Sequence, residues 1–255
     1  MTTVLRPPAG ETIVDVGARL TEELVTFTAP DSAPADQYRI LRQEVERLAR
    51  DSGARVFAVT SAGPGEGKTV TTLNLAGSLA QAQPANVLVV EADLRRPSVA
   101  KYLGITSEGP GLAEAIRQDQ FDLARAVRRL DWLGISMLPT GAAKRAPYEL
   151  LASPRFAMVL AEMRRRYNYV LIDTPPVLPV ADSRLLGPLV DGFIVVVCAH
   201  KTPRKALAET LRLLSPAKVF GVVFNGDDRP VDSYHRYYGY STDAAARKNN
   251  ARDTG

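Results

Sequence analysis

The chain has 255 residues, with 32 Lys+Arg against 28 Asp+Glu for a formal charge of +4, 45% hydrophobic residues and 24% charged ones. These totals exclude a disordered, collagen-like or low-complexity chain and leave room for one full α/β core. A single cysteine excludes an internal disulfide, and the mild charge, with no run of five basic residues, gives no footprint for nucleic acid.

Residues 1 to 35 carry prolines at 7, 8, 30 and 34 and an excess of acids, without sustained periodicity. They read as a flexible acidic N-terminal arm. No basic stretch followed by an apolar one opens the chain, so no secretory signal is expected. The longest apolar run, Phe193 to Ala199, is far too short to cross a bilayer. Cys198 lies inside that run and reads as a buried core residue.

From Asp36 to Arg50 the apolar positions Tyr38, Leu41, Val45 and Leu48 share one helical face. Strand-like runs then follow at Arg55 to Ser61, Asn86 to Glu91, Ile135 to Pro139, Tyr169 to Asp173, Gly192 to Ala199 and Lys218 to Asn225. Helical patterns fill the gaps at Gly67 to Gln81, Gly111 to Arg117, Phe121 to Leu130, Pro147 to Tyr167, Ser183 to Leu189 and Pro203 to Leu214. Unbroken runs such as VLVV, YVLI and FIVVV suit strands buried on both sides. The expected architecture is α/β, a mainly parallel sheet flanked by helices on both faces. The pattern stops at Gly226, so the division expected is an arm (1 to 35), a domain (36 to 226) and a flexible tyrosine-rich tail (227 to 255).

The first buried strand runs into Ala62-Gly63-Pro64-Gly65-Glu66-Gly67-Lys68-Thr69, and a helical pattern starts at once. Strand, glycine-rich loop and helix in this order make a P-loop: backbone N–H groups curl around phosphate oxygens at a helix N-terminus. Lys68 reaches the β and γ phosphates, and the Thr69 hydroxyl binds Mg²⁺. Ala62 stands where the spacing has its first glycine. Glu91 and Asp93 end one apolar strand and Asp173 ends another, where open α/β sheets place their chemistry. Asp173 is the expected acid for Mg²⁺, directly or through water. Arg95 and Arg96 read equally well as solvated charges. In the tail, Tyr234, Tyr237, Tyr238 and Tyr240 gather four of the nine tyrosines within seven residues. No apolar pattern there would bury them.

The motifs TSAGPGEGKT (60 to 69), EADLRRP (91 to 97), PYELLASPRF (147 to 156), IDTPPVLPVADS (172 to 183) and GVVFN (221 to 225) occur in this order, ahead of the tyrosine cluster. Together they resemble the bacterial tyrosine autokinases of capsule and exopolysaccharide synthesis, in their stand-alone cytoplasmic form. The resemblance spans roughly residues 36 to 240. It implies a P-loop NTPase fold related to the partition and division-site ATPases, with ATP and Mg²⁺ as cofactors. It implies phosphorylation of Tyr234, Tyr237, Tyr238 and Tyr240, largely between neighbours of a homo-oligomeric ring. The implied catalytic set is Lys68, Glu91, Asp93 and Asp173. Gly63, Gly65, Glu66, Gly67, Lys68, Thr69, Val70 and Asn225 would hold the nucleotide, and Thr69, Glu91 and Asp173 the cation. Asp36, Arg39 and Arg42, spaced along one helix, would face the neighbouring subunit; a solvated helix face is the alternative. A separate transmembrane polysaccharide co-polymerase would activate the chain and anchor it at the inner face of the membrane, with no span of its own.

Two positions depart from the family pattern. Asp36 stands in place of Glu, and Glu91 in place of Asp. The second matters more, because shifting a catalytic carboxylate by about 1 Å can cost on the order of a hundredfold in rate. Glu91 keeps open a weakly catalytic nucleotide-binding scaffold. An ATPase switch of the partition type, which shares the fold, is a second alternative, against which Ala62 at the start of the loop and the tyrosine tail favour the kinase.

Overall fold

The structure is a computed structural model that describes residues 10–14, 20–82, 85–119, 121–142, 147–214 and 218–227. The tyrosine cluster at 234 to 240 lies outside the described residues.

In chain order the elements are β1 (Thr12–Ile13), α1 (Val25–Thr28), α2 (Ala33–Ser52), β2 (Val56–Ser61), α3 (Lys68–Ala82), β3 (Val87–Glu91), α4 (Val99–Leu103), α5 (Leu112–Arg117), α6 (Leu123–Ala126), β4 (Arg128–Leu130), β5 (Ile135–Leu138), α7 (Pro147–Ala152), α8 (Pro154–Arg166), β6 (Tyr169–Asp173), α9 (Asp182–Leu185), β7 (Gly192–Cys198), α10 (Arg204–Leu213) and β8 (Val219–Asn225). The strands form one sheet in the order β1-β4-β5-β3-β6-β2-β7-β8. Every neighbouring pair is parallel except β4 and β5. All six strands read from the sequence are present, as the apolar runs require.

Alternation along the central strands divides the core in two. Val56, Ala58, Leu88, Val90, Val170, Ile172 and Val195 face one side, against Ile116, Phe156, Leu160 and Leu186. Phe57, Val59, Val87, Val89, Leu171, Ile194 and Val196 face the other, against Val45, Leu73, Leu79 and Leu103. A sheet covered on both faces has no solvent side, so its strands lack the polar alternation of a one-sided sheet.

Local signals set the helix ends. Ser32 caps α2 by accepting from Ala35 N, and Gly53 closes it in the left-handed region at φ 72°. The helix drawn from Pro147 to Tyr167 is in fact two: Ser153 accepts from Arg155 N and caps α8, with Pro154 at its start. Phe121 to Leu130, drawn as one helix, is only α6, after which β4 runs antiparallel along β5. There Arg129↔Ser136 and Leu130↔Ile135 are partners, and the free edge of β5 recruits a segment too short to have a period of its own.

Parts of the acidic N-terminal segment are built into the fold. β1 pairs with β4, and Glu11 accepts the hydroxyls of Tyr167 and, at 2.8 Å, Ser136. Leu24 is fully buried, and Thr26 gives its N–H and hydroxyl to Asn74 Oδ1 at 2.9 and 3.1 Å. Beside it α1 lies so close to α3 that a Cβ on Gly77 would come within 2.4 Å of the Phe27 ring. α2 starts at Ala33, so the expected boundary at residue 36 falls inside a helix.

Candidate active site

Four strands end at one place. β3, β6, β2 and β7 are consecutive neighbours, and Asp173 is the register partner of Val59 on β2 and of Glu91 on β3. The loop after β2, the carboxylates after β3 and at the end of β6, and Asn225 at the end of β8 therefore meet at the carboxyl edge of the sheet. A cleft of about 480 Å³ opens there, lined in part by Gly67, Lys68, Thr69, Asp93, Arg95 and Ser98.

The loop is held from behind. Glu66 is 3% exposed, so its carboxylate lies within the fold. One oxygen accepts from Gly63 N at 3.1 Å and the other from the Thr202 hydroxyl at 2.7 Å. Asn225 Nδ2 donates to the Glu66 carbonyl at 3.1 Å, and Lys201 Nζ donates to the Gly65 carbonyl at 2.8 Å. Gly67 sits at φ 93°, and a Cβ on it would stand 1.9 Å from Asn225 Nδ2. This loop conformation accordingly requires glycine at 67.

In front, the Thr69 hydroxyl donates to Asp173 Oδ2 at 2.7 Å and stands 3.0 Å from the Ser98 hydroxyl. Asp173 is 1% exposed, and its Oδ1 is buried without a partner. Burial pushes the Asp173 carboxyl up to about 7; Asp93 and Glu91 add to the rise, while Thr69 and Lys68 oppose it. Glu91 is fully buried. Its Oε1 accepts from the N–H groups of Ser98 and Val99, each at 2.6 Å, and its Oε2 has no partner. Burial raises its carboxyl too, against the bonds from the amides of Val99 and Ser98. Asp93, half-buried in the cleft, is raised by burial and by Asp182, and restrained by the Arg96 amide and by Lys68.

Arg95 is not merely a solvated charge: it forms a two-point ion pair with Asp182, at 2.7 and 3.1 Å. Asp182 is 1% exposed and lies in the VADS stretch quoted above without a role. Thr202 and Lys201 were not legible either, because the β7–α10 loop meets the glycine-rich loop only in space. Arg39 and Asp36 pair with each other on α2, Arg39 also donates to the Pro30 carbonyl, and Arg42 donates to the Ser78 carbonyl at 3.2 Å. These three residues lie away from the cleft lining.

The donor set fits a hard cation held together with a nucleotide. It offers one hydroxyl and carboxylates with two buried oxygens lacking a partner. Among the described residues no group of three His, Cys, Asp or Glu gathers as a ready metal cage. Mg²⁺ commonly uses one or two carboxylates and completes its shell with phosphate and water.

A family model described as an AAA domain matches residues 54–210. The tyrosine-protein kinase YwqD of Bacillus subtilis is 34% identical over 227 residues, covering 88% of this chain and 94% of the relative. The succinoglycan biosynthesis transport protein ExoP of Rhizobium meliloti is 30% identical over 209 residues, which is 80% of this chain but 26% of the relative. Among solved structures, the BceF tyrosine kinase domain superposes with a TM-score of 0.71 at 33% identity, over 80% of this chain and 81% of that one.

Proposed function

We propose, for a chain that belongs to the bacterial tyrosine-protein kinases and carries their AAA-type P-loop domain, that the cleft binds ATP with Mg²⁺ and passes the γ-phosphoryl group to tyrosines of the segment 234 to 240. The single observation that carries this reading is the bond from Thr69 to Asp173 at the mouth of the glycine-rich loop. It joins the hydroxyl that follows the loop lysine to a buried acid that still has a free oxygen.

The backbone N–H groups of Gly65, Glu66, Gly67 and Val70 cradle the phosphates, with Lys68 on the β and γ oxygens, while Gly63 shapes the loop through its bond to the Glu66 carboxylate. Asn225 serves the nucleotide through the loop, which it holds by its bond to the Glu66 carbonyl. Thr69 and Asp173 would hold the cation, with the Glu91 carboxylate as a further oxygen donor, and the cation would offset charge on the phosphates. Asp93 lines the cleft, and its raised affinity for a proton suits it to take the tyrosine hydroxyl proton. The tyrosine oxygen forms the new P–O bond as the bond to the β–γ bridging oxygen breaks, leaving ADP.

The reaction runs between subunits of a ring, with Asp36, Arg39 and Arg42 on the contact surface. Its setting is capsule or exopolysaccharide polymerisation and export. Among the described residues no helix is long and apolar enough to cross a membrane. A transmembrane polysaccharide co-polymerase in another polypeptide anchors the chain at the inner membrane face and activates it. The relative ExoP, of which this chain matches about a quarter, is a transport protein of succinoglycan biosynthesis and supports that setting.

The test is to incubate the protein with Mg-ATP, with and without the co-polymerase's cytoplasmic segment, and to map phosphate by mass spectrometry. Phosphotyrosine within 234 to 240 that disappears in Lys68→Met is expected. Its absence under both conditions, or its persistence in the variant, would overturn the proposal.

A further inference from the structure

Ser98 occupies the residue before α4, the position where a serine ordinarily turns its hydroxyl onto the helix and caps it. Here it does not: its side chain makes no capping bond. Glu91 braces the same turn from inside the sheet, its Oε1 accepting the N–H groups of Ser98 and Val99 at 2.6 Å each. The serine hydroxyl, which makes no capping bond, stands 3.0 Å from Thr69 Oγ1, on the lining of the cleft.

The direction of that bond follows from counting protons. Thr69 has one hydroxyl proton, and it goes to Asp173 Oδ2 at 2.7 Å. With Asp173 ionised, Ser98 is then the donor, giving a relay from Ser98 O–H to Thr69 O–H to the Asp173 carboxylate. The lone pair on Thr69 that receives the serine proton is the one a cation would need. A cation on that lone pair would take the place of the serine proton. The Ser98 hydroxyl, 3.0 Å from the oxygen that would be the ligand, would then be placed to bond a water on the cation.

We infer that Ser98 is a positioning residue of the kinase reaction: its hydroxyl holds a water molecule on the Mg²⁺ bound at Thr69, and Glu91 sets its place through the backbone. The inference rests on the Mg-ATP reading above and deepens it. Partners that orient a metal's ligands from behind typically contribute about tenfold to hundredfold in metal affinity.

The test is a titration of a fluorescent ADP analogue with the full chain, in EDTA and across Mg²⁺ concentrations, for the parent, Ser98→Ala and Ser98→Thr. The expected result is a rise of about tenfold in the Mg²⁺ concentration for half-maximal enhancement in Ser98→Ala. Nucleotide affinity in EDTA should be unchanged and the Mg²⁺ dependence recovered in Ser98→Thr. The Ser98 N–H to Glu91 survives both substitutions, so an equal melting temperature in EDTA serves as the folding control. A parent that responds to Mg²⁺ and a Ser98→Ala that responds identically, or loses affinity equally in EDTA, would overturn the role of Ser98 alone. A parent whose nucleotide binding ignores Mg²⁺ would overturn the cation reading with it.

Discussion

Thr69 and Asp173, 104 positions apart, are joined by a 2.7 Å hydrogen bond that ties the start of α3 to the end of β6. Burial raises the Asp173 carboxyl from 3.8 to about 7. Between these values the folded chain binds a proton that the unfolded chain has released, so the ligand-free fold loses stability as pH rises through that window. A bound cation favours the ionised form, so binding expels the proton. Mg²⁺ affinity should rise from about pH 6 to about pH 8. Calorimetry in buffers of different ionisation enthalpy should detect the released proton. Asp173→Asn should abolish both effects and phosphoryl transfer, while melting a few degrees higher without ligand, on the order of 1 kcal/mol.

The Thr202 hydroxyl and Gly63 N–H share the Glu66 carboxylate from two directions. Thr202→Val keeps the shape and leaves a buried oxygen without its donor, at about 1 to 3 kcal/mol. Because the loop shape is what binds phosphate, the expected result is a rise of about fivefold or more in KM for ATP with a smaller change in kcat. Thr202→Ser should recover the parent value in steady-state assays of peptide phosphorylation.

Gly67→Ala combines backbone strain at φ 93° with a Cβ 1.9 Å from Asn225 Nδ2. Nucleotide affinity should fall by about one to two orders of magnitude. The pair Gly67→Ala with Asn225→Ala relieves the collision but not the strain. Isothermal titration with ADP should therefore show partial recovery only.

Far from the cleft, Asp191 accepts from both nitrogens of the Arg164 fork at 2.8 and 2.9 Å and from the N–H groups of Arg55 and Val56. Burial alone would raise its carboxyl, but Arg164 and the two amides outweigh it and hold the group below the usual value. Its contribution is thus present above the unfolded value of 3.8 and is lost as pH falls through the lower folded one. Asp191→Ala should reduce stability in urea by about 2 kcal/mol at neutral pH. Steady-state kinetics below the unfolding transition should be unaffected.

What the sequence disclosed follows from how much each segment decides for itself. The central strands are buried on both sides and had to be apolar throughout, so their runs were visible. The glycine-rich loop was visible because its glycines, lysine and threonine sit between a strand and a helix of unmistakable period. β1 and β4 were not, since two or three residues have no period and take their conformation from the edge they join. The break at Ser153-Pro154 did have a local signal, a capping serine before a proline, which the apolar pattern on either side outweighed. Within the site, Asp173 and Lys68 were legible from their strand and loop. Thr202, Asp182 and Ser98 act through partners 136, 87 and 29 positions away, a spacing that leaves no mark on local sequence.

Glu11 reaches across from the N-terminal strand to the hydroxyl of Tyr167, which is 1% exposed. That hydroxyl is shielded, already donating to a carboxylate, and made harder to ionise by both burial and that partner. A phosphate cannot be added there without pulling β1 off the sheet. In a phosphopeptide map of this protein, signal at Tyr167 would count misfolded molecules, whatever the tail tyrosines report. The native chain thus carries its own blank for the assay of its kinase activity.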